Sequence, residues 1–188
     1  SVSERSRGRG CAICSGKKVV SSNCLATINP QLSKQWHQIN NGTLKPTDVT
    51  ANSNKKVWWK CDKGDDHEWQ NSIASRNSKN SGCTVCSGHK VVLSNCLATI
   101  NPELSKEWYQ PKNGELTPFD VTISTAKKVW WKCDKANDHI WETSISHRTG
   151  EKGCPYCVGQ RVCLSNCLAT VNPELAKEWH PTKNDKLT

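Results

Sequence analysis

The amino-acid sequence repeats itself with a period of about 72 residues, and this repeat limits the possible folds more than any other feature. Tandem units of this size each form one small structural module. We therefore expect an array of small modules and not one large domain. The segments that recur with almost unchanged sequence are residues 23–30, 95–102 and 166–173, and residues 57–63 and 129–135.

The repeat predicts four segments in the 188 residues. Two complete units span residues 23–94 and 95–165. Residues 1–22 correspond to the C-terminal part of a preceding unit, and residues 166–188 correspond to the N-terminal part of a following unit. We expect this chain to be one part of a longer repeat array.

The composition argues against a single aliphatic core. The chain contains 12 Cys and 9 Trp, but one Phe and no Met. No apolar stretch approaches the roughly 20 residues of a membrane span, and none near the N-terminus resembles a signal peptide. Small modules with so little aliphatic material need disulfides or metal ions for stability. Cysteines are the residues of this chain that are able to form disulfides or bind metal ions.

Each complete unit contains the ligands of one structural zinc site. A Cys and a His are separated by five residues, and a Cys-x-x-Cys pair follows them. Structural zinc prefers four tetrahedral thiolate or imidazole ligands. Disulfides are the alternative, but three cysteines and one histidine suit a tetrahedral site better than a pairing scheme. The predicted ligands are Cys61, His67, Cys83 and Cys86 in the first unit and Cys133, His139, Cys154 and Cys157 in the second.

The remaining cysteines have other expected roles. Cys11 and Cys14 match the second half of a zinc site, and we interpret them as a half-site. The others lie beside apolar residues or replace a valine of another unit, so we expect them to pack as small hydrophobic side chains. These are Cys24, Cys96, Cys163 and Cys167.

Local sequence patterns predict a small α+β module. Asn101-Pro102-Glu103 is typical of a helix start, and this helix is expected to continue through Trp108. Residues 127–133 and 140–148 predict the two strands of a hairpin, with the Cys and His ligands at its tip. A further short helix is expected directly after each Cys-x-x-Cys pair.

The ligands and the surrounding residues resemble the tandem treble-clef zinc finger repeats of the probable zinc-ribbon domain family. This resemblance covers essentially the whole chain. It implies a β-hairpin with a zinc knuckle, short helices and a nucleic-acid-associated module, which in some proteins is attached to an endonuclease domain. The residues that carry it in the second unit are Asn95, Leu97, Ala98, 102–104, Glu107, Trp108, Asn113, Gly114, 116–118, Asp120, Val121, Trp130, Trp131, Cys133, His139, Trp141, Arg148 and 153–157.

The chain departs from the family pattern at three points. A Cys stands where the family has Ser after Asn. The knuckle is Cys-x5-His, two residues longer than the usual Cys-x3-His, with Asp66 or Asp138 directly before the His. Only Pro155 supplies the Pro that follows the first Cys of the pair. The longer knuckle affects the expected loop geometry more than the identity of the ligands.

The charge predicts a polyanionic partner. The formal net charge is +9, and the basic residues recur at equivalent positions, which is typical of nucleic-acid binding. Duplex DNA is the preferred interpretation; an RNA-binding module and a protein-interaction scaffold or targeting module of a larger protein are the alternatives. The expected contact residues are Lys17, Lys18, Lys55, Lys56, Lys60, Arg76, His89, Lys90, Lys127, Lys128, Lys132, Arg148, Gln160 and Arg161.

Three of these positions suggest base readout. Lys17, His89 and Gln160 are equivalent in the repeat but differ in identity, while the residue after each of them stays basic. Variable polar residues are suited to base edges and constant cations to phosphates. The hypothesis requires the predicted helix after each Cys pair to enter a major groove.

The tryptophans have two possible roles. Aromatic residues between lysines are able to stack on bases, but in so small a unit they are expected to form the core around zinc. Trp58 and Trp59 are adjacent on a predicted strand and must point to opposite faces, so one of them is expected to be partly exposed.

No catalytic constellation is recognisable in the sequence. Both zinc ligand sets have four protein ligands and leave no position for a substrate. We therefore expect a protein that is not an enzyme. Thiolate ligands also predict an intracellular, reducing compartment, and the nucleus if the source is eukaryotic.

Overall fold

The computed structural model describes residues 11–150, 152–180 and 182–184. The chain divides between Ser94 and Asn95 into two compact units. Each unit contains short helices and one antiparallel β-hairpin, so the predicted α+β class is confirmed. None of the helices in the described ranges has the length and apolar character needed to cross a membrane.

In the part of the first unit that the structure describes, two short helices come before the hairpin. A 3-10 turn at Pro46–Asp48 precedes the hairpin, and another at Leu93–Asn95 follows it at the unit boundary. The helices and strands are α1 (Leu25–Ile28), α2 (Pro30–Ser33), β1 (Lys56–Lys60), β2 (Glu68–Ser72) and α3 (Ile73–Asn77).

The second unit repeats this order of elements, with one additional helix before its hairpin and two additional helices near its end. A 3-10 turn at Pro118–Asp120 again precedes the hairpin. The helices and strands are α4 (Leu97–Ile100), α5 (Pro102–Lys106), α6 (Gln110–Asn113), β3 (Lys128–Lys132), β4 (Ile140–Ser144), α7 (Ile145–Thr149), α8 (Leu168–Val171) and α9 (Pro173–Lys177).

The predicted helix start is confirmed. The side chain of Asn101 accepts a hydrogen bond from the backbone N–H of Leu104, and Pro102 occupies the first helical position of α5. The equivalent Asn29 caps α2 in the same way. The helix is shorter than predicted because α5 ends at Lys106, before Trp108.

The hairpins bury one face of each strand. Trp59 pairs with Trp69 across the first hairpin, and Trp131 pairs with Trp141 across the second. Trp59 and Trp131 have no exposed surface, whereas Trp58 is half-buried on the opposite face of β1. The expected alternation of the two tryptophans is therefore confirmed.

The core of each unit is built around these buried indoles. Trp36 meets Trp59 edge to face with ring centroids 5.6 Å apart, and Trp108 meets Trp131 in the same way. Edge-to-face packing is favourable for aromatic rings. The indole N–H of Trp36 also donates to the carbonyl of Leu44, so this buried polar group is satisfied. These tryptophans lie in the core, as expected, and aliphatic side chains such as Leu25 and Ile73 pack with them.

The second strand is shorter than predicted. The sequence favoured a strand over residues 140–148, but β4 ends at Ser144 and α7 begins at Ile145. The side chain of Ser144 accepts a hydrogen bond from the backbone N–H of His147, which caps a helix start. Ser72 does the same for Ser75 in the first unit. This side-chain cap ends the strand.

The helix predicted after each Cys pair is absent from the described residues. A single turn contains the second Cys of each pair, over residues 12–16, 84–88 and 155–159, and the residues directly after it (17–20, 89–92 and 160–163) form no helix. The turns end at Gly16, Gly88 and Gly159, which all have positive φ angles near +70°. Glycine adopts this left-handed conformation readily, and it stops a helix from continuing.

Candidate metal centres and basic surfaces

The hairpin tip places the first two metal ligands side by side. In the first unit β1 ends just before Cys61, and β2 begins just after His67. The backbone N–H of Cys61 donates to the carbonyl of His67 at 3.0 Å. This hydrogen bond continues the backbone pairing of the hairpin as far as the two ligands. The other two ligands lie directly before and within the turn over residues 84–88. The backbone N–H of Cys86 points to the Sγ of Cys83 at 3.5 Å.

The first ligand cluster has the spacing of a tetrahedral zinc site. The Sγ atoms of Cys61 and Cys86 are 3.7 Å apart, and the Nδ1 of His67 is 3.3 Å from Cys86 Sγ and 3.9 Å from Cys83 Sγ. A tetrahedral zinc ion bonded at about 2.3 Å to sulfur and about 2.0–2.1 Å to nitrogen separates two sulfurs by about 3.8 Å and a sulfur and a nitrogen by about 3.6 Å. The arrangement fits zinc.

The second cluster has almost the same dimensions. The Sγ atoms of Cys133 and Cys157 are 3.7 Å apart, and the Nδ1 of His139 is 3.6 Å from Cys154 Sγ and 3.5 Å from Cys157 Sγ. The His139 ring also stacks on Tyr156, with centroids 5.2 Å apart. Both clusters keep their ligand atoms within 4.8 Å of one another.

The electrostatics of the clusters favour a bound cation. Desolvation of the sulfur, together with hydrogen bonds from neighbouring thiols, raises the pKa of Cys86 to about 11 and that of Cys157 to about 12. Three thiolates packed together repel one another unless a cation lies between them. The six cysteine ligands form no disulfide. The two clusters are therefore two structural zinc sites, as the sequence predicted.

The other cysteines lie outside these two sets. Cys11 hydrogen-bonds to Cys14 and raises the pKa of its thiol, so the half-site cysteines are neighbours. Cys24 and Cys96 are buried, as expected of small apolar side chains. Cys163 is half-buried, and its sulfur lies close to Asp138 and to the zinc ligand His139, which the sequence did not predict.

Two of the expected nucleic-acid contacts are structural residues instead. Arg76 and Arg148 are each only 8 % exposed, so they are not available to a partner. The guanidinium of Arg76 donates to the carbonyl of Ser81 and to the side chain of Gln35, and it lies over the ring of Trp59, 5.4 Å from its centroid.

Arg148 occupies the equivalent place in the second unit. It donates to the carbonyl of Lys152 and to the carboxylate of Glu107, and it lies over the rings of Trp131 and Trp141. Guanidinium groups stack well on aromatic rings, which explains how this charge is accommodated next to the core. Burial lowers the pKa of Arg76, whereas the nearby thiolates of Cys83 and Cys61 raise it.

Most of the other predicted contact residues are at the surface. Lys90 also donates to the carbonyl of Glu68, and the half-buried Lys132 donates to the side chain of Asn137. The exposed ones are Lys17, Lys18, Lys55, Lys56, Lys60, His89, Lys90, Lys127, Lys128, Gln160 and Arg161. Because Lys17, His89 and Gln160 lie at or just beyond single turns, the recognition helix assumed for them has no counterpart in the described structure.

The outer face of each hairpin combines lysines with an indole. Alternation along β1 puts Lys56, Trp58 and Lys60 on the face turned away from the core. In β3 the same positions carry Lys128, Trp130 and Lys132, and the ammonium of Lys112 lies 3.9 Å from the centroid of the Trp130 ring.

One comparison with known proteins identifies a family. The family described as "Probable Treble clef zinc finger domain" matches residues 32–89 and 104–160, which together are more than half of the chain. Each matched range contains one hairpin and all four ligands of one zinc cluster. Among curated proteins, none matches the chain significantly.

Proposed function

Because the chain belongs to the probable treble clef zinc finger family, we propose that it is a zinc-stabilised repeat protein that binds nucleic acid, with duplex DNA as the partner. The zinc ions hold the fold in this proposal, since four protein ligands leave no coordination position for a substrate. We propose no catalytic activity for the described repeats.

The outer faces of the two hairpins carry the proposal. Lys56 and Lys128 are exposed at the start of each hairpin, next to the exposed Lys55 and Lys127. Exposed lysines at the same place in both units suit a partner whose charge also repeats, as phosphates do along a nucleic acid. The net charge of +9 supports the same conclusion.

The shape of the hairpins favours duplex DNA over duplex RNA. The major groove of B-DNA is about 12 Å wide and admits a two-stranded β-ribbon, whereas the major groove of A-form RNA is too narrow for side chains to read. The described helices next to the zinc sites are five residues long or shorter, which is less than two turns. The hairpins are therefore better candidates for groove contact than any of these helices.

A charge-neutralisation experiment tests this function. In the variant, Lys55, Lys56, Lys127 and Lys128 are changed to Gln. In the control, four exposed lysines outside the hairpin strands are changed in the same way: Lys34, Lys45, Lys106 and Lys177. Fluorescence anisotropy with labelled duplex DNA is measured as a function of salt. If all four hairpin lysines contact phosphates, the slope of log K against log salt falls in magnitude by about 3.6 in the variant.

The outcomes separate the competing functions. Equal loss of affinity in the variant and the control would show that the hairpin faces have no special role. Stronger competition by duplex RNA than by duplex DNA would favour the RNA-binding alternative. Absence of nucleic-acid binding by the zinc-loaded protein would leave the protein-interaction scaffold as the better explanation.

A further inference from the structure

We infer that Asp66 with Ser94, and Asp138 with Ser165, are positioning residues that orient the histidine ligand of each zinc site. They belong to neither ligand set, and both serines lie beyond the ranges that match the family. In each unit the serine follows the Cys pair by several residues and returns to the back of the zinc knuckle.

The contact is direct in the second unit. The Oγ of Ser165 lies 3.1 Å from the Nε2 of His139, and the backbone N–H of Ser165 donates to the Oδ2 of Asp138 at 2.8 Å. The carboxylate thus holds the serine in place, and the serine hydroxyl meets the far side of the imidazole.

The same residues are arranged slightly differently in the first unit. The backbone N–H and the hydroxyl of Ser94 donate to the two carboxylate oxygens of Asp66 at 2.8 and 2.7 Å. The Oδ1 of Asp66 is 4.0 Å from the Nε2 of His67. Here the carboxylate stands between the serine and the imidazole.

The chemistry of the histidine explains why such a partner is needed. In both clusters Nδ1 is the ring nitrogen that faces the cysteine sulfurs. A neutral imidazole that binds metal through Nδ1 carries its proton on Nε2, and this N–H requires an acceptor. The acceptor fixes the tautomer and the ring orientation, and its loss typically weakens metal binding 10- to 100-fold.

The long knuckle has a purpose under this inference. The knuckle has five residues between Cys and His in both units, and an aspartate directly precedes the histidine in each. From that position its carboxylate reaches the backbone N–H of the serine, which belongs to the segment that leads out of the unit. Each zinc site is therefore completed by a residue that follows its last ligand.

Cys163 raises one competing possibility. With Asp138 and His139 it forms a third group of ligand atoms within 4.8 Å of one another, and the first unit has Val92 at the same position. A cation bound there would displace the proton from Nε2 of His139. Ser165 would then be next to a second metal and not a hydrogen-bond partner of the zinc ligand.

The test uses the full chain with Ser165→Ala, Ser165→Thr and Ser94→Ala. The matched control is Ser22→Ala, because Ser22 is the equivalent serine after the Cys11–Cys14 half-site and no histidine precedes it in the chain. Zinc affinity is measured by competition with a chromophoric chelator. The tautomer of each histidine is followed by nitrogen-15 NMR of the zinc-loaded protein, and circular dichroism checks the fold.

We expect Ser165→Ala to weaken the second site about 10- to 100-fold and to speed exchange of the His139 Nε2 proton with water. Ser165→Thr keeps the hydroxyl, so the zinc affinity of the second site and the exchange rate of the His139 Nε2 proton should both return to the values of the unchanged protein. Ser94→Ala should weaken the first site in the same way, and Ser22→Ala should change neither.

Two results would overturn the inference. One is an unchanged zinc affinity and an unchanged Nε2 proton signal in Ser165→Ala and Ser94→Ala. The other comes from loading the protein with cobalt in place of zinc. A third cobalt ion bound per chain, and lost in Cys163→Val, would make Asp138 and Cys163 metal ligands. If Ser165→Ala fails to fold, the folded Ser94→Ala protein provides the test: a weakened first site with an altered His67 Nε2 signal supports the inference, and an unaltered affinity and signal contradict it.

Discussion

At the scale of single residues, the buried arginines show how a charge is used for stability. Arg148 lies against two indoles and links the carboxylate of Glu107 to the carbonyl of Lys152. Arg148 and Arg76 occupy the same position in the two units, and for this reason both were predicted to contact nucleic acid. The spacing of a cation along the chain does not reveal whether it faces solvent, because this depends on residues about 40 positions away.

Arg148→Ala is expected to destabilise the second unit by about 2–3 kcal/mol. The loss leaves Glu107 and a backbone carbonyl without their cation, and the cost stays below that of a fully buried pair because Glu107 is partly exposed. The comparison is Arg161→Ala at an exposed position, which should change stability by less than about 0.5 kcal/mol. Urea unfolding of the zinc-loaded proteins measures both, and equal stabilities would contradict the structural role.

Gly64 is required by the position of the His67 ring. A Cβ atom at Gly64 would lie 2.7 Å from the Cδ2 of His67, which is too close for a real contact. The second unit has Ala136 at this place, and its histidine stacks on Tyr156 instead. The two knuckles thus surround their histidine rings differently.

Gly64→Ala is expected to weaken zinc binding at the first site, because the methyl group forces the His67 ring to move. Ala136→Gly, the reverse change in the second unit, should leave zinc affinity nearly unchanged. Chelator competition on the two variants provides the comparison. An unaltered affinity in Gly64→Ala would mean that the His67 ring moves aside without loss of coordination.

At the scale of elements, the hairpin separates two functions between adjacent residues. Trp59 points into the core and Trp58 points outward, although they are neighbours in β1. The period of two along a strand is a backbone property, so the sequence was sufficient to predict this separation. It was not sufficient to predict where β4 ends, because the cap at Ser144 is one hydrogen bond from a side chain.

Trp59→Ala is expected to cost about 3–5 kcal/mol of unfolding free energy, because it removes a fully buried indole. Trp58→Ala should cost only about 1–2 kcal/mol, since that indole is half-buried. Trp131→Ala and Trp130→Ala repeat the comparison in the second unit. Chemical denaturation in saturating zinc measures the difference, and similar losses for both members of a pair would contradict the assigned faces.

At the scale of the whole molecule, stability depends on the two zinc sites. Each unit has one small core of aliphatic and tryptophan side chains, and its zinc site joins the hairpin tip to the turn with the Cys pair. Binding of a structural metal is folding free energy for modules of this kind. We therefore expect two zinc ions per chain and a large decrease of the circular dichroism signal on chelation.

Zinc affinity is expected to fall as the pH falls. The metal-free thiols of Cys86 and Cys157, with pKa values raised to about 11 and about 12, are protonated at neutral pH and must release their protons to bind. With up to three thiols per site, affinity changes by as much as ~1000-fold per pH unit. The number of protons released per zinc ion is measured with an indicator dye when zinc is added. Zinc binding without proton release would contradict it.

The metal-free protein should show the opposite dependence. A raised thiol pKa stabilises the folded form while the thiol is protonated, which holds below the ordinary thiol pKa near 8.5. This contribution is lost as the pH rises toward the folded values of about 11 and about 12. Circular dichroism of chelated protein across this alkaline range provides the measurement, and a constant residual signal would contradict it.

The sequence by itself determined the zinc ligands, the hairpins and the two repeated units. Ligand spacing and strand alternation are local properties of the chain, and their recurrence in a second unit distinguished them from chance. Cys133 and His139 lie together because one hairpin tip connects them, and this follows from the order of residues alone.

Only the tertiary structure decided which polar residues serve the zinc sites and which remain at the surface. Arg148 is enclosed by indoles from two strands, and Ser165 returns to His139 after 26 residues. The aspartate before each histidine and the serine before each Asn-Cys-Leu-Ala were visible in the sequence, but nothing in their spacing linked them. Contacts between distant residues depend on packing, and packing depends on the shape of the whole unit.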